Sequence, residues 1–156
     1  MHISARADYA VRAMVEIAGR TGYVKSDVVA RAQTIPPKLL ETLVADLRRS
    51  ELLHSRRGPD GGYWLARPAA EISVADVIRA VEGPLASVRG QPPEDVHYDG
   101  VAAPLQLVWI AVRGSLRSVL EGVSIADVAA DQLPDFVADY AADPRAWRRA
   151  SPPDVS

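Results

Sequence analysis

The chain has 156 residues, 48 % of them hydrophobic, with 18 Lys+Arg against 20 Asp+Glu and no cysteine. This is enough for one cored domain plus an appendage, and it excludes wholesale disorder. The missing cysteine excludes disulfides, thiolate nucleophiles and every all-cysteine zinc or iron–sulfur site. No stretch nears the ~20 apolar residues of a membrane helix. Arg6, Asp8 and Arg12 near the start do not suit a signal peptide, so a cytoplasmic protein is expected.

The net charge of −2 alone argues against a nucleic-acid partner. Its distribution argues the other way. Residues 1–67 hold 11 Lys+Arg and 7 Asp+Glu, a balance of +4, whereas residues 68–156 hold 7 and 13, a balance of −6. A basic first half suits a polyanion.

Ser4 can cap a first helix from Ala5 to about Gly19, with Ala10, Ala13, Met14, Ile17 and Ala18 on one face. Ser26 and Asp27 open a short second helix through Ala32. Pro36 and Pro37 suit the first positions of a third, where a missing N–H costs nothing. Leu39, Leu40, Leu43, Val44 and Leu47 form its inward stripe, while Lys38, Glu41, Thr42, Ala45, Arg48 and Arg49 face out. The run from Ile35 to Leu53 reads as a helix able to enter a major groove.

Leu52–Ser55 and Tyr63–Ala66 are strand candidates around Arg56-Arg57-Gly58-Pro59-Asp60-Gly61-Gly62. Glycines give tight turns with no Cβ in the way. A basic, glycine-rich hairpin tip suits a DNA groove, where arginine meets phosphate or a narrow minor groove. Helix followed by basic wing is the layout of a winged helix-turn-helix.

Ser73-Val74-Ala75-Asp76 is a capping box opening a helix through Glu82, ended by Gly83 and Pro84. Residues 84–104 carry several turn breakers and read as a long loop, a length that points to function or disorder. A long helix from Pro104 to Glu121 carries the apolar stripe Leu105, Val108, Trp109, Val112, Leu116, Val119 and Leu120. It reads as a dimerisation helix, the alternative being packing on its own domain. Ser124-Ile125-Ala126-Asp127 opens a further short helix. The sequence shows no internal repeat. The expected fold is mainly α with a small β-hairpin wing: a winged helix-turn-helix over 1–83, an effector-type loop over 84–104, a dimerisation helix and short helix over 104–133, and a flexible tail over 134–156.

Four stretches in this order carry a resemblance. They are Ile3-Ser4 with Asp8-Tyr9-Ala10, Ile35-Pro36 leading to Leu40-Glu41, the wing Arg57-Gly58 with Gly61-Gly62-Tyr63 and Leu65, and Asp76-Val77-Ile78-Arg79-Ala80-Val81-Glu82-Gly83. With Trp109 they cover about residues 1–128, and the chain resembles the Rrf2 family of bacterial transcription regulators. The resemblance implies a homodimer on an imperfect palindrome in double-stranded DNA, with repression the family's commoner mode. It puts Lys38, Glu41 and Thr42 against base edges and Arg57 in the minor groove, with Ser4, Arg6 and Arg56 completing the DNA-contacting set. The length and apolar stripe of the long helix put Leu105, Val108, Trp109, Val112, Leu116 and Val119 in the dimer interface. The chemistry agrees: Glu41 can accept from cytosine, Lys38 can donate to guanine, and Thr42 can use its hydroxyl or methyl.

Two departures stand out. Many members hold an iron–sulfur cluster through three cysteines in the loop that here is Pro84–Gly100. That sensing function does not transfer, and no cofactor is expected. Glu51 replaces the family's glycine after the recognition helix, which predicts a slightly different turn there, since a left-handed glutamate costs on the order of 1 kcal/mol.

Other constellations are thinner. Asp95, His97 and Asp99, beside Glu94, would share one side of an extended segment and could hold a metal, but an ordinary polar loop explains them. With Trp109 they mark a candidate effector region for a small molecule or protein partner. The Gly58–Gly62 run lacks the Gly-Lys-Ser/Thr ending of a phosphate loop. The histidines at 2, 54 and 97 form no catalytic set, so no enzyme is expected. The competing reading is a winged-helix module that binds a protein rather than DNA.

Overall fold

A computed structural model of the chain describes residues 2–148. Helix α1 (Ala5–Ala18) starts where extended Ser4 accepts a hydrogen bond from the Ala7 N–H at 3.0 Å. Its face of Ala7, Ala10, Ala13, Met14 and Ile17 is buried. Helix α2 (Ser26–Gln33) ends on a left-handed Thr34, and α3 (Pro37–Arg49) begins with proline at its first position. Leu40, Leu43, Val44 and Leu47 of α3 are buried, whereas Leu39 is only partly so.

The third helix is shorter than the Ile35–Leu53 run because a left-handed Glu51 stops it (φ 56°). The Leu52 N–H donates to the Leu47 carbonyl at 2.9 Å and the Glu51 N–H to that of Arg48 at 3.0 Å, a Schellman end. The expected change of turn is therefore corrected: glutamate takes the glycine conformation. The strain of about 1 kcal/mol is outweighed by what the turn achieves. It buries Leu52 and Leu53, each worth roughly 1.5–3 kcal/mol.

Strands β1 (Leu53–Arg56) and β2 (Gly62–Leu65) pair antiparallel, with Leu53 opposite Leu65, His54 opposite Trp64, Ser55 opposite Tyr63 and Arg56 opposite Gly62. Val24 extends the ribbon by exchanging two hydrogen bonds with Tyr63, at 2.8 and 2.9 Å. Gly62 permits that approach, because a Cβ there would sit 2.7 Å from the Val24 carbonyl oxygen. Leu53, Tyr63 and Leu65 join the core, while exposed His54 and half-buried Trp64 stack together with Tyr23.

Helix α4 (Val74–Glu82), the long α5 (Leu105–Leu120) and the short α6 (Ile125–Ala129) follow. Both anticipated capping boxes form, Ser73 with Asp76 and Ser124 with Asp127. The two boxes sit side by side. Val74 N–H donates to the Val123 carbonyl and Ile125 N–H to that of Ile72, at 2.9 and 2.8 Å. So Ser73-Val74-Ala75-Asp76-Val77 and Ser124-Ile125-Ala126-Asp127-Val128 are a short repeat of one local structure, which the linear reading passed over. Ile72, Val77 and Ile125 enter the same core as α1 and α3. A boundary between residues 83 and 104 therefore divides residues that share one core. Beyond it, α7 (Asp135–Ala141) and a 3-10 turn at Pro144–Trp147 occupy part of the stretch expected to be tail. The Phe136 ring sits so close to Gly122 that a Cβ on the glycine would lie 2.8 Å away. Residues 149–156 of that expected tail lie outside the described residues.

The 84–104 segment is built rather than slack. It contains 3-10 turns at Pro93–Asp95 and Gly100–Ala102 and buries Pro93 and Val96. Three side chains of α5 fasten it. Gln106 donates to the Glu94 carbonyl at 2.9 Å, Trp109 Nε1 donates to the Tyr98 hydroxyl at 2.9 Å, and Arg113 pairs with the Glu94 carboxylate. The Glu94 backbone, then Arg113, hold that carboxyl below its usual range. No described helix is long and apolar enough to cross a membrane.

Candidate nucleic-acid interface

Helix α3 and the wing flank an open cleft of about 610 Å³. Helix α3 contributes Glu41, Val44, Ala45 and Arg48, the wing contributes Ser55 to Pro59, and Lys25 and Ser26 come from the N-cap and first position of α2. The wing is held by backbone geometry. A turn closes with the Gly61 N–H donating to the Gly58 carbonyl at 3.0 Å. A Cβ on Gly61 would lie 2.0 Å from the Arg56 carbonyl oxygen, so only glycine lets the tip fold back. Arg56 and Arg57 are both exposed.

Charge pairing separates this face from the rest. Among the described residues, Arg6, Arg12, Arg20, Arg31, Arg49, Arg67, Arg79, Arg113, Arg117 and Arg145 each meet a carboxylate. Lys25, Lys38, Arg48, Arg56, Arg57, Arg89 and Arg148 meet none. Four of those seven line the cleft, and Lys38 is exposed in the first turn of α3. Cations left without internal partners on one face are available to phosphate.

The anticipated DNA-contacting residues fall into two groups. Lys38, Glu41, Thr42, Arg56 and Arg57 are exposed on α3 and the wing. Thr42 donates to the Lys38 carbonyl at 3.2 Å, a bond that its hydroxyl can exchange for an outside partner. Ser4 and Arg6 are occupied elsewhere. Ser4 caps α1 and bonds Glu82. Arg6 donates to the Val81 carbonyl at 3.1 Å and pairs with buried Asp46, tying α1 to α3 and α4. Lys25, Ser26 and Arg48 were not singled out as contacts. An outward lysine before a helix start and an arginine in the last turn of α3 were the available signals.

The α5 stripe also divides. Leu105, Trp109, Val112, Leu116 and Val119 are half-buried, whereas Val108 is 50 % exposed and its neighbour Leu107 69 %. No residue of this apolar helix is fully buried. In the candidate effector region, Asp95 ends a 3-10 turn and Asp95, His97 and Asp99 are all exposed. Asp95 thus lies in a 3-10 turn while Val96 and Asp99 are extended, and no three His, Cys, Asp or Glu side chains converge among the described residues.

A family model described as Rrf2, iron-dependent transcriptional regulator, matches residues 3–131. The chain is 51 % identical over 148 residues to Rv1287 of Mycobacterium tuberculosis, which bears a provisional name as an HTH-type transcriptional regulator. The match covers 94 % of this chain and 92 % of that protein. It is 34 % identical to the HTH-type transcriptional regulator CymR of Bacillus subtilis, covering 83 % of this chain and 90 % of that protein. Among solved structures, B. subtilis CymR superposes with a TM-score of 0.70 at 30 % identity, covering 83 % and 97 % of the two chains. T. potens IscR superposes at 0.65 with 28 % identity, covering 97 % and 94 %.

Proposed function

The chain belongs to the Rrf2 family of transcriptional regulators, and on that premise we propose that it represses transcription by binding a palindromic operator as a homodimer, without an iron–sulfur cluster. The observation that carries DNA binding is the gathering of unpaired cations Lys25, Lys38, Arg48, Arg56 and Arg57 on α3, the wing and the adjoining start of α2. In this reading α3 enters the major groove and presents Lys38, Glu41 and Thr42 to base edges. Arg57 reaches the minor groove, while Lys25, Arg48 and Arg56 meet phosphate.

The homodimer rests on α5, whose Leu107 and Val108 are left in solvent. Exposed Ala111, Gly114 and Ser115 further along α5 would allow a second helix to approach closely. Two protomers present two recognition helices, which is why a palindrome is the matching operator. The described residues do not fit the iron–sulfur cluster that the family description brings to mind. The sequence has no thiolate, and no alternative ligand group converges among the described residues. Control then falls to a non-thiol ligand or a protein partner at the 84–104 segment, and the site of action is the cytoplasm.

Salt dependence tests the DNA reading against a protein-binding module. Affinity for duplex DNA is measured by fluorescence anisotropy between low and moderate salt. Each phosphate contact contributes about −0.9 to the logarithmic slope, so Lys25→Ala and Arg48→Ala should each flatten it by about 1. An affinity indifferent to salt overturns the reading.

A further inference from the structure

A cavity of about 520 Å³ lies between the 84–93 segment and α5, within the size range of small-molecule sites. Leu85, Val88, Pro93, Trp109 and Val112 supply apolar walls. Arg89, with Ser87 and His2, supplies the polar lining. Arg89 stands apart from most of the other described arginines of the second half, Arg148 being unpaired as well. Arg79, Arg113, Arg117 and Arg145 are all paired with carboxylates, whereas Arg89 has no such partner among the described residues. Even nearby Glu94 is taken by Arg113.

The backbone presents Arg89 at a cost. Arg89 and Gly90 have φ of 53° and 80°, the two left-handed positions of a tight turn. Hydrogen bonds of 2.9 and 3.0 Å between Val88 and Gln91 close it. Asparagine and glycine fill such positions without strain, and arginine does not. Its guanidinium carbon lies 6.0 Å from the centroid of the Tyr98 ring, and Tyr98 is in turn held by Trp109. A strained backbone that sets an unpaired cation at the rim of an apolar cavity is an arrangement for a ligand.

We propose that this cavity binds a small organic monocarboxylate with an apolar body. The guanidinium of Arg89 takes the carboxylate through paired N–H···O bonds, and the walls from Leu85 to Val112 take the body. One cation matches one negative charge. Free phosphate is a poor match, because apolar walls do not replace the hydration of a dianion. The ligand touches α5 and the 84–93 segment together, so occupancy favours one setting of the two. As the effector of the proposed regulator, it would act on the spacing of the recognition helices. That last step rests on the DNA-binding reading; the site itself does not.

The test uses the full-length protein without DNA. Benzoate, phenylacetate and hexanoate are titrated by calorimetry beside benzamide, phenylacetamide and hexanamide. At least one acid should bind with a Kd of about 1 mM or tighter, and its amide about tenfold more weakly. Arg89→Gln should lose about tenfold while Arg89→Lys retains part of the affinity. No binding by any acid, equal binding of acid and amide, or full binding by Arg89→Gln overturns the site. The amide comparison needs no variant, so a misfolded mutant cannot obscure the answer. Carboxylate binding by a protein that ignores DNA would overturn the regulator reading and leave this one standing.

Discussion

Arg57 and Arg6 resemble each other in sequence and differ in what surrounds them. Arg57 is exposed at the wing with no carboxylate partner among the described residues, so Arg57→Ala should leave the melting temperature unchanged and weaken operator binding by ~1–3 kcal/mol. Arg6 meets Asp46, whose side chain is 11 % exposed, and the Val81 carbonyl. Arg6→Gln leaves that carboxylate with Arg49 alone, so it should destabilise by roughly 1–3 kcal/mol. Its DNA affinity, measured well below the transition, should hold. Melting curves and anisotropy on both variants check the contrast, and the reverse pattern would exchange their roles. The outward placement of Lys38, Glu41, Thr42 and Arg57 was legible in the sequence, from the apolar stripe of the third helix and the glycine-rich hairpin. Whether an arginine is free or consumed depends on partners such as Asp46, 40 positions away, and no local pattern reports that. Glu51 gives the same lesson for backbone. Its left-handed backbone costs about 1 kcal/mol, but the compensating burial of Leu52 and Leu53 comes from tertiary packing.

Helix α5 was legible as a long apolar element, and its capped neighbours α4 and α6 were legible from their Ser-x-x-Asp boxes. Which side of α5 faces out was not, because Leu107 lies beside Val108 of the apolar stripe and extends it round the first turns of the helix. Trp109 and Val112 turn to its own 84–93 segment and Leu116 faces the start of α1, leaving Leu107 and Val108 in solvent. The dimer account therefore predicts that Leu107→Glu combined with Val108→Glu gives folded monomers, since both side chains are exposed in the single chain. Charge placed in the dimer interface is the cause. Light scattering with circular dichroism checks it, and a folded dimer would move the interface elsewhere. The 84–104 segment read as loop because its order comes from Gln106, Trp109 and Arg113 reaching across from α5. The helical stretches within 135–147 were missed because each is little more than a turn or two. Phe136 on Gly122 is a contact between elements that no local propensity encodes.

At the scale of the molecule, a chain of net charge −2 carries a basic face because its arginines are unequally neutralised. The second half pairs four of its described arginines internally, whereas the cleft between α3 and the wing keeps four cations unpaired. In the proposed reading, phosphate contacts of this kind would supply affinity and orientation, and Glu41 and Thr42 would supply the choice of sequence. In the proposed homodimer, two such faces related by a two-fold axis would demand an inverted repeat, with half-sites set by the distance between the two copies of α3. The most direct measurement is selection by the purified protein from a pool of random duplex DNA, followed by sequencing of what is bound. The account predicts enrichment of one inverted repeat whose base preferences change in Glu41→Ala and Thr42→Ala. Recovery of unenriched random sequence, or of a motif indifferent to both substitutions, would contradict it.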